Sequence, residues 1–189
     1  MPRLHIAGEL SIAELSAARL DGDLYTVDTC WASVAEPEDP GLRAEAFAAA
    51  VPDLRLVAER LSAAWIWGAR SRPPARHQVC LRPGLRARGG PGLLVLRQTD
   101  VSAEDLCSFG SARVTAPERT IADLLRTPAG FGDVERDAVV RLTRIADAAG
   151  VLQLLEASAA HPHGRRALHR WAALDGGTDN DPGRSTTRR

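Results

Sequence analysis

The stretch "RVTAPERTIADLLRTPAG", residues 113–130, crowds two hydroxyls, a proline, an acid and a base ahead of an apolar run. A catalytic loop and a helix start can share that composition. Thr115 is placed to accept a backbone N–H bond, Pro117 suits a first turn whose donors are unpaired anyway, and Glu118 completes a capping box. Arg119 and Asp123 fall one turn apart on one face, where an ion pair contributes about 0.2–0.5 kcal/mol and less in this Arg-first order. Ile121, Leu124 and Leu125 supply the apolar face. Nucleophilic catalysis needs a base beside the nucleophile and a third group to orient it, and the stretch holds neither histidine nor cysteine. The spacing predicts a helix over 116–126.

Working outward, helical patterns are expected over 133–148, 151–160 and 164–174. Upstream, "HQVCLRPG" (77–84) and "GLLVLRQT" (92–99) read as strands joined by the arginine- and glycine-rich turn "LRARGGP", with a third strand around "DLCSFGSARVT" (105–115). Further upstream, "LRAEAFAAAVP" (42–52) reads as a helix, and "LRLVAERLSAAWIWGARS" (54–71) as a short apolar segment running into another. Near the N-terminus, Ser11 and Glu14 form a capping box, Gly22 is placed to stop the helix, and Leu24, Tyr25, Val27, Cys30 and Trp31 mark a strand-like segment. The expected fold is α+β: a reduced winged-helix-like N-terminal segment, a small antiparallel sheet packed with helices, and a helical C-terminus. The expected divisions are 1–40, 41–174 and a disordered tail over 175–189, whose "DGGTDNDPGRSTTRR" lacks apolar residues.

All 24 basic residues are arginine, balanced by 24 acids. The balance hides segregation. Residues 1–53 carry ten acids against three arginines, and residues 54–97 carry nine arginines against Glu59 alone. Such polarity points to a partner. The apolar runs fall short of the roughly 20 residues of a spanning helix, and the N-terminus lacks the apolar core of a signal peptide, so a cytoplasmic protein with no membrane association is expected. Cys30, Cys80 and Cys107 read as reduced core thiols.

The candidate binding residues are Arg70, Arg72, Arg76, Arg82, Arg86 and Arg88, in a stretch from 70 to 90 without an acid. Three readings are open: flexible turns that let guanidinium groups reach successive phosphates, a patch neutralised by the acidic N-terminal segment, or a dock for an acidic protein partner. Trp65 and Trp67 are read as core. His161, His163 and His169 invite a metal, but "HPHG" reads as a loop with no acid or cysteine at ligand spacing, so no metal site is expected. No cofactor is expected either: "RARGGPG" (86–92) lacks the lysine and hydroxyl of a P-loop. A metal-dependent nuclease would use a lysine beside its carboxylates, and the chain has none. No catalysis is expected.

"VTAPERTIADLL" (114–125) resembles the "VTSPERTLLDL"-like signature of the AbiEi-type antitoxins of type IV toxin–antitoxin systems. "ELSAARLDGDLYTVDTCWAS" (14–33), "RLSAAWIWGA" (60–69) and "HQVCLRPG" follow in the order of that family. The resemblance implies a bacterial DNA-binding autoregulator and antitoxin that works by binding operator DNA or a nucleotidyltransferase-like toxin. It suggests a truncated actinobacterial form, because in longer relatives a stretch like "ALDGGTDNDPGRSTTRR" leads into a nuclease-like domain. The alternative is a remnant of such a relative, acting only as a protein-interaction module. The helix–wing segment carries Glu9, Glu14, Asp21, Asp23 and Asp28 against Arg19, whereas phosphate neutralisation needs the opposite sign.

Overall fold

The computed structural model describes residues 3–5, 10–87, 94–128 and 130–175. The expected tail from residue 176 onward and Arg88 lie outside the described residues. The N-terminal helix α1 (Ile12–Leu20) starts at the expected capping box: Ser11 Oγ accepts the Glu14 N–H at 3.2 Å and Glu14 accepts the Ser11 N–H at 2.8 Å. Gly22, at φ +86°, turns the chain into an antiparallel hairpin, β1 (Leu24–Val27) and β2 (Cys30–Ser33). Only Leu15 of α1 is fully buried, so this helix is held by its caps and by β1 more than by the core.

Helix α2 (Pro40–Ala50) is capped by Asp39 and leads through β3 (Val57–Ala58) into α3 (Arg60–Ile66). Strands β4 (His77–Leu81) and β5 (Leu94–Gln98) precede a hairpin of β6 (Leu106–Phe109) and β7 (Ala112–Thr115). The sheet order is β5-β4-β3-β7-β6. It is mixed, where an antiparallel sheet was expected: β4 pairs with β5 in parallel, and β3 with β7 in parallel. Because β4 and β5 pair in parallel, they do not form the expected hairpin.

Four helices follow: α4 (Pro117–Leu125), α5 (Asp133–Leu142), α6 (Ala148–Ala157) and α7 (Gly164–Asp175). The run expected over 133–148 breaks because Asp147 caps α6, accepting the Ala149 and Gly150 N–H groups. Among the described residues no helix is long and apolar enough to cross a membrane.

Two hydrophobic cores meet at α3. Ala63, Trp65 and Ile66 pack with the N-terminal hairpin, α2 and the sheet, whereas Leu61 and Ala64 pack with α4 to α7. Trp67 joins both and donates its Nε1–H to the Thr115 carbonyl at 2.9 Å. Buried Arg43 completes the C-terminal end of α3, donating from Nη1 to Trp65 O at 2.6 Å and Arg70 O at 2.8 Å. Cys30 and Cys80 are buried, Cys107 is half-buried, and all three are free.

The start of α4 departs from its expected cap. Ala116 is the N-cap, and its side chain makes no capping bond. Thr115 ends β7, and its hydroxyl lies 2.7 Å from the buried Thr120 hydroxyl, bracing strand against helix. Glu118 accepts the Asp147 N–H at 2.8 Å and so ties α4 to α6.

Candidate functional site

The arginines singled out in the sequence separate into two groups at opposite ends of β4. Arg70, Arg72 and Arg76 precede the strand, and Arg82 and Arg86 follow it. Arg76 and Arg82 stand six positions apart across the strand, roughly 20 Å at about 3.3 Å per residue. Arg72, Arg76, Arg82 and Arg86 are exposed, while Arg70 is half-buried. Arg76 donates to the Leu94 carbonyl at 2.6 Å, and Arg82 stands 4.0 Å from exposed Asp100. Among the described residues, Arg72, Arg76 and Arg86 make no ion pair.

Other arginines are committed to the chain's own carbonyls and carboxylates. Arg170 donates to Leu125 O and Thr127 O at the end of α4, and Arg166 to Pro128 O. Beneath the edge strand β5 lies a buried ionic network that the sequence did not announce. Asp123 is fully enclosed, and Oδ2 receives Arg119 Nε at 3.0 Å and Arg97 Nη2 at 2.9 Å. Arg97 also donates from Nε to both oxygens of buried Glu59, at 3.0 and 3.1 Å. Arg119 reaches Asp105 at 2.8 Å. Asp123 and Glu59 hold the Arg97 guanidinium well above its ordinary pKa despite burial, and Asp123 and Asp105 raise that of Arg119. The i,i+4 pair read from sequence is therefore present, but in the interior, where breaking it leaves charges unpaired.

The network opens on one side into a cleft of about 430 Å3 between α4, β5 and the turn joining α6 to α7. Arg60, Arg97, Arg119, Arg126, Ser158 and His161 are among its lining groups. Arg126 donates from Nη2 to Leu154 O and to Ser158 Oγ, and Nη1 stays 3.7 Å from Asp123 Oδ1. The Nε atoms of Arg60 and Arg126 are buried without a hydrogen-bond partner, and such an orphaned donor costs about 1–3 kcal/mol. Burial above all, with Arg119 and Arg97 nearby, lowers the pKa of Arg126.

A serine, a histidine and an aspartate also line up. Ser62 Oγ lies 3.1 Å from His77 Nδ1, and His77 Nε2 lies 2.9 Å from Asp28 Oδ2. The three residue types are those of a hydrolase triad, but the ring nitrogens are exchanged: there the serine meets Nε2 and the aspartate Nδ1. Here, however, Ser62 is fully enclosed and its hydroxyl accepts the Gln78 N–H at 2.8 Å. A nucleophile must reach its substrate; this one braces α3, β4 and the N-terminal hairpin.

The AbiEi antitoxin C-terminal domain family matches residues 57–174, more than half of the chain. The chain belongs to the AbiEi antitoxin family. In this AbiEi-family chain the matched region contains the ionic network and the cleft, whereas α1, the hairpin and Asp28 precede it. The crystal structure of the Rv2827c protein from Mycobacterium tuberculosis is similar to it in fold, at 20% identity and a TM-score of 0.50. That likeness covers 91% of this chain and 66% of that one, so the AbiEi-family chain spans about two thirds of its length. No curated protein matches.

Proposed function

We propose that this AbiEi-family chain is an antitoxin that works by binding and not by catalysis. It counters a nucleotidyltransferase-like toxin and controls its own operon through operator DNA. The observation that carries the DNA contact is the set of exposed arginines flanking β4, of which Arg72, Arg76 and Arg86 have no carboxylate partner among the described residues. Cations left unpaired by their own chain suit a polyanionic partner, since neutralised phosphates release counterions. The acidic residues of α1 and its hairpin, Glu14, Asp21, Asp23 and Asp28, suit a phosphate backbone poorly and so favour a contact on the sheet-bearing body.

The test of the antitoxin reading is co-expression with the product of the adjacent reading frame, after that product expressed alone has been checked for toxicity and for nucleotidyltransferase activity. Growth restored by the chain supports the reading. Unrestored growth, with the chain present at ample levels, overturns it. Co-purification of the two proteins identifies capture as the route.

A further inference from the structure

The cleft beside the ionic network carries an unbalanced charge. Four guanidinium groups, those of Arg60, Arg97, Arg119 and Arg126, meet three carboxylates, those of Glu59, Asp105 and Asp123. Asp100 also borders the cleft, but it is exposed and stands 4.0 Å from Arg82. Arg119 bonds two acids, from Nε to Asp123 and from Nη1 to Asp105. Donors are left over on the other three: Arg97 Nη1 takes no part in the bonds to Glu59 and Asp123, and the Nε donors of Arg60 and Arg126 are buried without acceptors. Ser158, His161 and His163 stand at the same cleft and add further hydrogen-bonding groups.

The backbone is bent to hold this arrangement. Arg60 at φ +48° and His163 at φ +67° are two of the three described non-glycine residues in the left-handed region, and both line the cleft. Such conformations persist where the surrounding structure imposes them. Burial lowers the pKa of Arg126; Asp123 offsets part of this, while Arg119 and Arg97 add to it, so an anion bound there would favour the charged guanidinium.

We infer that this cleft is a phosphate-binding site, with Arg60, Arg97 and Arg126 as its cationic donors and Ser158, His161 and His163 at its rim. The ligand is a phosphate group, free or carried by a nucleotide or by a nucleic-acid end. A planar guanidinium presents paired donors that match phosphate oxygens. The site uses none of the exposed arginines of the operator contact, so the two readings stand or fall separately.

Calorimetric titration of the full chain tests it, with inorganic phosphate, a nucleoside monophosphate, and a short single-stranded oligonucleotide bearing a 5′-phosphate or a 5′-hydroxyl. Saturable 1:1 binding of at least one phosphate probe is expected. Equal affinity for phosphate and nucleotide identifies the free ion, tighter nucleotide binding identifies a nucleotide, and preference for the 5′-phosphorylated oligonucleotide identifies a nucleic-acid end. Arg60→Gly, whose glycine suits the left-handed backbone, should weaken binding about tenfold or more, and Arg60→Gln serves as a second variant. Arg141→Ala, in the exposed pair with Asp137 on α5 away from the cleft, should leave it unchanged. In the wild-type chain, the ring signals of His161 and His163 should move in the nuclear magnetic resonance spectrum on adding the bound probe. Absence of saturable binding by every probe, unmoved histidine signals, or wild-type affinity in folded Arg60 variants overturns the site.

Discussion

His77 Nε2 lies 2.9 Å from Asp28 Oδ2, and that contact fastens the turn of the N-terminal hairpin to the first residue of β4. Asp28 holds a left-handed φ of 55° to make it. The other ring nitrogen meets Ser62, and the ring stands edge-on to Phe47 with centroids 5.2 Å apart. Asp28→Ala leaves a buried ring nitrogen without its partner, at a cost of about 1–3 kcal/mol. Urea unfolding should show that loss, and hydrogen exchange should quicken in β1 and β2. Unchanged exchange there would show that the hairpin is held by other contacts.

Asp123 is the hub of the interior charges. Replacing it with alanine leaves Arg97 and Arg119 with one acid each and Arg126 with none, so a loss of about 3–5 kcal/mol is expected. The exposed pair Arg141–Asp137 at 3.0 Å is the control: Asp137→Ala should cost less than about 1 kcal/mol. Equal urea midpoints for the two variants would refute the difference.

Two helical glycines should answer oppositely to alanine. A Cβ on Gly164 would lie 2.2 Å from the Ser158 carbonyl oxygen, a backbone atom that cannot step aside. Gly164→Ala should lose about 1–3 kcal/mol through overpacking. At Gly150 the nearest atoms, 3.4 Å away, belong to the side chains of Asp147 and Glu118. Gly150→Ala should be neutral, or gain up to about 1 kcal/mol from helix propensity. Paired thermal denaturation curves decide between these directions.

The thiols should differ in reactivity with pH. Burial first, and then the Glu59 carboxylate, push Cys80 up to about 12, so it stays a neutral thiol through the alkaline range. Cys107 is half-buried and raised by desolvation and by Glu118. Because the thiolate is the nucleophile, alkylation of the folded chain at pH 8–9 should mark Cys107 first and leave Cys80 unmodified until unfolding. Early labelling of Cys80, read by peptide mass, would contradict its enclosure.

Local chemistry made some of this readable. The Ser11–Glu14 box, the Gly22 stop, the Pro117 helix and the burial of Trp65 follow from spacing alone. Pairing direction did not, because residues 82–93 are long enough to close a turn or to cross back. Thr115 satisfies the cap pattern but is the last residue of a strand, where Thr120 claims its hydroxyl. Asp123 has the spacing of a surface ion pair; only packing of α4 between the sheet and the other helices encloses it. The cleft gathers residues from 60 to 163, and the Ser62–His77–Asp28 line spans 49 positions between its acid and its base. No local pattern brings such groups together. The candidate arginines were visible as a charge run, yet β4 sets them apart in two groups.

Binding of operator DNA by the exposed arginines is tested most directly by the affinity for the chain's own upstream duplex across a salt series. With Arg72, Arg76, Arg82 and Arg86 each meeting a phosphate, log affinity should fall with log salt at a slope of roughly −3 to −4, and Arg82→Ala with Arg86→Ala should remove about 2 from its magnitude. No complex at low salt, or an unchanged slope in the double variant, would contradict the account.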